Sequence, residues 1–335
     1  MGNPWRSEAF QGKSKRRAYF EGWYFKQTGG LPAGAWSFIP GIALGSERGE
    51  GYAFVQALEG STGKSWWFEY PLNAFSASSK ILDVRVGPNR FSARGIQLEL
   101  ENGETAIRGS LNYGAMTSLS RPFWSPGVMG PFSFVPGMEC NHGLVSLDHR
   151  VEGWIMAGDI RIEFENGRGY IEKDWGKSMP QAWLWIQSND FAFRGDSAML
   201  SVARIPWASS AFTGFLCASS LGGSRRLFTT YTKARIASLA VNEHQVFCRI
   251  ERPGSRTRAA EAIEFEAGRA RGGTLRAPVS GLLSRRISEA VDARLSVRYF
   301  REGVLKYEAE TGLAGLEVVG DLMYQNRVPG YTESS

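Results

Sequence analysis

Between positions 170 and 174 the chain reads Tyr-Ile-Glu-Lys-Asp, a phenol, two carboxylates and an ammonium in one short run. In an extended segment, period-two alternation sends Tyr170, Glu172 and Asp174 to one side and Ile171, Lys173 and Trp175 to the other. Carboxylates gathered with a phenol on an apolar face hold a proton near neutral pH, because burial and like charge both raise a carboxyl pKa. A general acid needs that property. The bland alternative is a surface ion-pair set at a strand end.

Two aromatic runs flank this one. In YFEGWYFKQ at 19–27, alternation puts Tyr19, Glu21, Trp23, Phe25 and Gln27 on one face and Phe20, Gly22, Tyr24 and Lys26 on the other. Glu21 and Lys26 also read as an ordinary surface pair. In QAWLWIQSNDF at 181–191, Trp183, Trp185, Gln187 and Asn189 share a face, with Leu184 and Ile186 behind them. That is an aromatic wall ending in amides. Barrel cores fill with aromatics too, but a buried amide costs free energy unless something bonds it. Trp23, Tyr24, Trp175, Trp183 and Trp185 are therefore candidates for a pocket wall, and Glu21, Gln187 and Asn189 for its polar contacts.

Other chemistries lack their residues. His142 and His149 fall in a segment that reads as loop and His244 is remote, so no metal cluster is expected. The cysteines Cys140, Cys217 and Cys248 match neither zinc spacing nor a redox pair. Buried thiols in a reducing compartment are the reading. No GxSxG, HExxH or dinucleotide fingerprint occurs, and GSTGKS at 60–65 lacks the first glycine of a phosphate loop.

Strands carry these residues. YAFVQAL (52–58), ILDVRV (81–86), RFSARGIQLELE (90–101), TAIRGSL (105–111) and DIRIEFE (159–165) carry strand signals in the first half. AMLSVARIPW (198–207), AFTGFLCAS (211–219), HQVFCRIER (244–252), ARLSVRYF (293–300) and GLEVVGDL (315–322) continue the style. Asn-Gly in ENGET (101–105) and ENGRG (165–169) predicts a hairpin at each. Only 278–295 shows helical periodicity, and 112–145 reads as a loop rich in Pro, Gly and aromatics. With 335 residues the chain can bury a full core. The expectation is an all-β protein in two sheet-rich halves, 1–179 and 180–335.

The net charge of +6 is dispersed over KSKRR at 13–17, SRR at 224–226 and 284–286 and RPGSRTR at 252–258, with no recognition helix. Nucleic acid is not an expected partner. A solvated surface is the first reading and a shallow membrane-docking face the next. The N-terminal residues carry no apolar secretion signal and no run is long enough for a transmembrane helix, so a cytoplasmic protein, peripheral to membranes at most, is expected.

YFEGWYFK at 19–26, SPGVMGPFSFVPGMECNHGLVS at 125–146 and YIEKDWGKSMPQAWLWIQSN at 170–189 resemble, in order and spacing, blocks of the tocopherol cyclase family. Beyond residue 200 the likeness is only one of strand character. The resemblance implies two lipocalin-like antiparallel β-barrel domains and, more distantly, kinship with carotenoid 1,2-hydratases and lipocalin-like Diels–Alderases. It implies a hydrophobic ligand with a prenyl or polyene tail, no cofactor, and closure of a prenylated phenol to a chromanol by alkene protonation. Tyr170-x-Glu172 looks similar to the Tyr-x-Asp element that supplies the acid in the hydratases, which makes Glu172 the first choice and Asp174 its alternate or helper. A non-catalytic carrier of a quinone, isoprenoid or lipid fits the same aromatic lining.

Overall fold

The computed structural model describes residues 3–31, 34–119, 125–135, 137–207 and 210–322. Strands account for nearly all regular structure among them, with a few 3-10 turns and no α-helix. In the first half they are β1 (Tyr19–Leu31), β2 (Gly34–Leu44), β3 (Gly51–Glu59), β4 (Ser65–Pro71), β5 (Phe75–Ala77) and β6 (Asp83–Val86). β7 (Asn89–Ser92), β8 (Gly95–Glu101), β9 (Ala106–Tyr113), β10 (Cys140–Ala157) and β11 (Ile160–Gly176) follow. The second half holds β12 (Trp183–Ser188), β13 (Ser197–Trp207), β14 (Ser210–Leu221), β15 (Ser224–Thr229) and β16 (Arg235–Val241). It ends with β17 (Gln245–Arg252), β18 (Glu261–Gly268), β19 (Gly273–Val279), β20 (Leu282–Arg301) and β21 (Val304–Val319).

The first sheet runs β4-β3-β2-β1-β11-β10-β9-β8-β7-β6-β5, with antiparallel pairing along it. Its two edge strands, β4 and β5, are consecutive in the chain and joined only by the 3-10 turn Leu72–Ala74. So short a link, at most about 3.5 Å per residue, forces the sheet to curl until its edges approach. Phe68, Val84, Val86, Phe91, Ile107, Phe25 and Trp36, drawn from all round the sheet, accordingly meet in one core. The second sheet, β15-β14-β13-β12-β21-β20-β18-β17-β16, repeats the device: its edges β15 and β16 are joined by the 3-10 turn Thr230–Thr232.

Alternation explains these strands. In β8, Ile96, Leu98 and Leu100 are buried while Gln97, Glu99 and Glu101 are exposed. Full burial of such side chains is worth about 1.5–3 kcal/mol each. The ENGET hairpin forms as expected between β8 and β9, Glu101 pairing with Ala106. ENGRG does not turn the chain. β11 continues through it, and Asn166, at φ 54°, sits in a bulge opposite Gly29, where the β1 register jumps from Thr28–Arg168 to Gly30–Phe164. Asn tolerates that left-handed backbone whether a turn or a bulge follows.

The helix suggested for 278–295 is instead the β19–β20 turn and most of β20, where Val291, Ala293, Leu295, Val297 and Tyr299 alternate inward. Period two prevails there because the segment is paired on both sides. The loop expected over 112–145 ends earlier: β9 reaches Tyr113 and β10 begins at Cys140, with a 3-10 turn at Gly130–Phe134 between. Ser120–Trp124 and Pro136 of that stretch lie outside the described residues.

The chain packs as two compact units. The first runs to Pro180 and also takes in Gly272–Val291; the second comprises Gln181–Arg271 and the described residues from Asp292 onward. In the first unit, β19 lies over β3, where Gln56 exchanges two hydrogen bonds with the Arg276 backbone at 3.1 and 2.7 Å. No helix among the described residues is long and apolar enough to cross a membrane.

Candidate active site

β1 and β11 pair side by side, so the alternation read from sequence divides their residues between two faces of one sheet. On the inner face stand Glu21, Trp23 and Lys173, joined at the strand end by Trp175. Lys173 Nζ lies 2.5 Å from Glu21 Oε1, both side chains being wholly buried, and 4.7 Å from the ring centres of Trp23 and Trp175. The N-terminal segment closes over the pair: the backbone N–H groups of Gln11 and Gly12 donate to Glu21, and Lys173 donates to the carbonyls of Ser7 and Ala9. The Tyr19 hydroxyl donates to Glu21 at 2.5 Å, and Trp23 Nε1 to Glu8 O at 2.8 Å. Glu21 is thus partnered by Lys173 and not by Lys26, whose place in the alternation is on the other face. Glu21, Trp23 and Trp175, expected to line a pocket with Tyr24 and Glu172, stand on the face turned away from those two.

The outer face gathers the acids. Tyr170 donates its hydroxyl to Glu172, which is 4 % exposed. Burial and the charge of Glu172 push the Tyr170 phenol far above its ordinary range. Tyr24, paired across the strands with Glu172, donates to Glu289 of β20 at 2.5 Å. His142 of β10 lies opposite Asp174, its Nδ1 2.9 Å from Asp174 Oδ1 and its Nε2 3.5 Å from Glu172 Oε2. Desolvation lowers the His142 pKa, but the charges of Asp174 and Glu172 and the bond to Asp174 outweigh it and raise it to about 9. Near neutrality the cluster therefore holds an imidazolium between two carboxyl groups. Cys140 touches Asp174 and Met179 with its sulfur at 3.9 and 3.6 Å, and burial with the charges of Asp174 and Glu139 pushes its thiol well up.

His142, Glu289 and Cys140 are the members that sequence reasoning missed. His142 is on a strand and belongs to a group: its ring, Glu172 and Asp174 present ligand atoms within 4.8 Å of one another, close enough to hold a cation. The expectation that the histidines form no such cluster is corrected to that extent, because the strand begins earlier than its composition suggested. All three cysteines are free thiols, Cys217 and Cys248 buried and Cys140 partly so.

In the second unit, Trp183, Trp185 and Gln187 alternate on β12 and Asn189 follows, all nearly or fully buried. Trp183 Nε1 donates to Glu317 at 2.5 Å and Gln187 Nε2 to Asn189 Oδ1 at 3.4 Å. Gly315 leaves the room that Trp185 fills: a Cβ there would lie 2.4 Å from the indole. The wall ending in amides is a feature of that unit.

With the geometry established, comparison places the chain. The tocopherol cyclase-like family pattern matches residues 127–320, more than half the sequence, and the chain belongs to that family. It is 41 % identical over 51 residues to a probable chloroplastic tocopherol cyclase of Oryza sativa subsp. japonica and 43 % over 51 residues to the chloroplastic tocopherol cyclase of Zea mays. The match spans 15 % of this chain and about a tenth (11 %) of each relative. Across the fold, the crystal structure of CghA with Sch210972 superimposes with a TM-score of 0.56 at 12 % identity, covering 90 % of this chain and 88 % of that one. This is a likeness of fold, and it agrees with the expected all-β, lipocalin-like class. The family pattern extends to residue 320, well past position 200, beyond which the block-by-block likeness gives way to strand character.

Proposed function

We propose that the chain is a cofactor-independent cyclase of a prenylated phenol or quinol. The observation that carries this reading is His142 held between Glu172 and Asp174 on a sheet face where Tyr170 bonds Glu172. Family membership supports it. The His142 imidazolium passes its proton to Glu172, and Glu172 gives it to the less substituted carbon of a trisubstituted alkene, whose π pair becomes the new C–H bond. The phenol oxygen closes on the tertiary cation, its O–H bond breaks, and the proton goes back to Glu172. Atoms and electrons balance without an oxidant. From Glu172 the proton returns to His142, while Asp174 orients the imidazole and Tyr170 fixes the carboxyl.

The test is Glu172→Gln, which keeps size and removes the transferable proton. Turnover of a prenylated hydroquinone should fall about 10² to 10⁴-fold, with melting temperature and ligand affinity little changed. A rate equal to the parent's overturns the assignment. A parent that binds such molecules and never turns them over is a carrier instead.

A further inference from the structure

On the core-facing side of the first sheet, five buried polar atoms have no hydrogen-bond partner among the described residues: both amide atoms of Gln27, Trp36 Nε1, the Tyr113 hydroxyl and His149 Nε2. Gln27 is 0 %, Trp36 1 % and His149 3 % exposed. A buried polar group left unpaired costs about 1–3 kcal/mol, so five in one neighbourhood call for a cause.

They form one rung across the sheet. Gln27 pairs with Trp36 on one side and with Gly169 on the other, and Gly169 pairs with His149. Directly opposed residues point to the same face, here the face of Phe25 and the core. Gly169 is what lets the rung close up, since a Cβ on it would stand 2.2 Å from His149 Nε2. The imidazole thus lies over the residue that separates it from Gln27. Tyr113 packs its ring on His149 with centroids 4.5 Å apart and on Phe25 at 6.4 Å, while Trp36 stacks on Trp66 at 5.6 Å.

The hydrogens can be assigned. The Ser146 hydroxyl donates to Asp148 O at 3.1 Å, so at its 3.0 Å contact with His149 Nδ1 it accepts. Nδ1 carries the proton and Nε2 a lone pair. Burial lowers the His149 pKa to about 3, which leaves the ring neutral. The rung therefore offers donors at Gln27 Nε2 and Trp36 Nε1, acceptors at Gln27 Oε1 and His149 Nε2, and at Tyr113 a hydroxyl able to serve as either. None is charged, and the surroundings are aromatic.

We propose that the rung Trp36–Gln27–Gly169–His149, with Tyr113, is a second binding site inside the first unit for an uncharged planar-ring molecule bearing a hydroxyl or carbonyl. It faces away from Glu172 and does not rest on the cyclase reading. Phenol and toluene are the probes, followed by the nitrogen–proton resonances of the Trp36 indole and the Gln27 amide. Phenol should shift both saturably and toluene should not, and Gln27→Leu should weaken phenol binding at least tenfold, read on Trp36. Tyr113→Phe gives the same readout should Gln27→Leu fail to fold. Equal responses to the two probes, or phenol binding untouched by these substitutions, overturns the site. So does a silent phenol titration, whether Gln27→Leu then destabilises the protein, which would mean an ordered water only, or stabilises it, which would mean unpaired groups.

Discussion

Lys173 Nζ and Glu21 Oε1 meet at 2.5 Å with no solvent on either side chain. The pair joins neighbouring strands β1 and β11 and also holds residues 7–12 through their backbone. A lone buried charge is far costlier than a buried pair, so Lys173→Met should lose about 3–5 kcal/mol in urea unfolding. The double variant Glu21→Gln/Lys173→Met should recover much of that loss. If the single variant costs under about 1 kcal/mol, the pair does not anchor the N-terminal segment.

His142 should leave a signature on the alkaline side. Its folded pKa of about 9 stands above the ordinary 6.5, so its stabilisation is complete below pH 6.5 and is lost as pH climbs through 9. The parent should weaken over that interval by at most about 3 kcal/mol, and His142→Gln should flatten the slope. Parallel curves for parent and variant would contradict an imidazolium between Asp174 and Glu172.

His149 should act on the acid side. Its folded pKa of about 3 lies below 6.5, so stability is full above pH 6.5 and falls as pH drops towards 3, where the unfolded chain binds the proton more readily. Between pH 6.5 and 5, before most carboxylates titrate, the parent should lose up to about 1.4 kcal/mol per pH unit more than His149→Gln. Denaturation at stepped pH measures the difference.

Cyclisation through Glu172 uses only side chains, so turnover should survive EDTA and dialysis. Loss on chelation and recovery with one divalent metal would recast His142, Glu172 and Asp174 as ligands. A long-tailed prenylquinol should quench tryptophan fluorescence at micromolar concentration or below, and a tailless phenol should do so far more weakly, because the tail carries most of the apolar area. Equal quenching would contradict a hydrophobic ligand.

The division of faces on β1 and β11 was legible from alternation alone, since each strand is regular from Tyr19 to Thr28 and from Arg168 to Gly176. His142 was not. Counting back from the hairpin pair Ala157–Ile160 sets position 142 opposite Trp175, on the inner face, whereas it lies opposite Asp174. Irregularities between Leu144 and Ser146, Ser146 and His149, and Val151 and Gly153 shift the register by a net one residue. A one-residue slip exchanges faces. Glu289 was hidden for another reason: its partner Tyr24 is 265 positions away, and no local pattern reports such a contact.

The membership of Gly272–Val291 in the first unit has a consequence for synthesis. On the ribosome β1 has no partner on its β11 side until the chain has grown past residue 176, and Tyr24 lacks its bond to Glu289 until more than a hundred further residues have emerged. Pairings this distant are slow to form, and the edges left waiting are prone to stick to other chains. A gene cut after codon 180 would keep every strand of the first sheet but lose the residues that lie over β3 and the Glu289 that Tyr24 bonds. Polar and apolar groups would be left uncovered and the product prone to inclusion bodies, whereas splicing codons 272–291 back on through a flexible tether should return it to the soluble fraction.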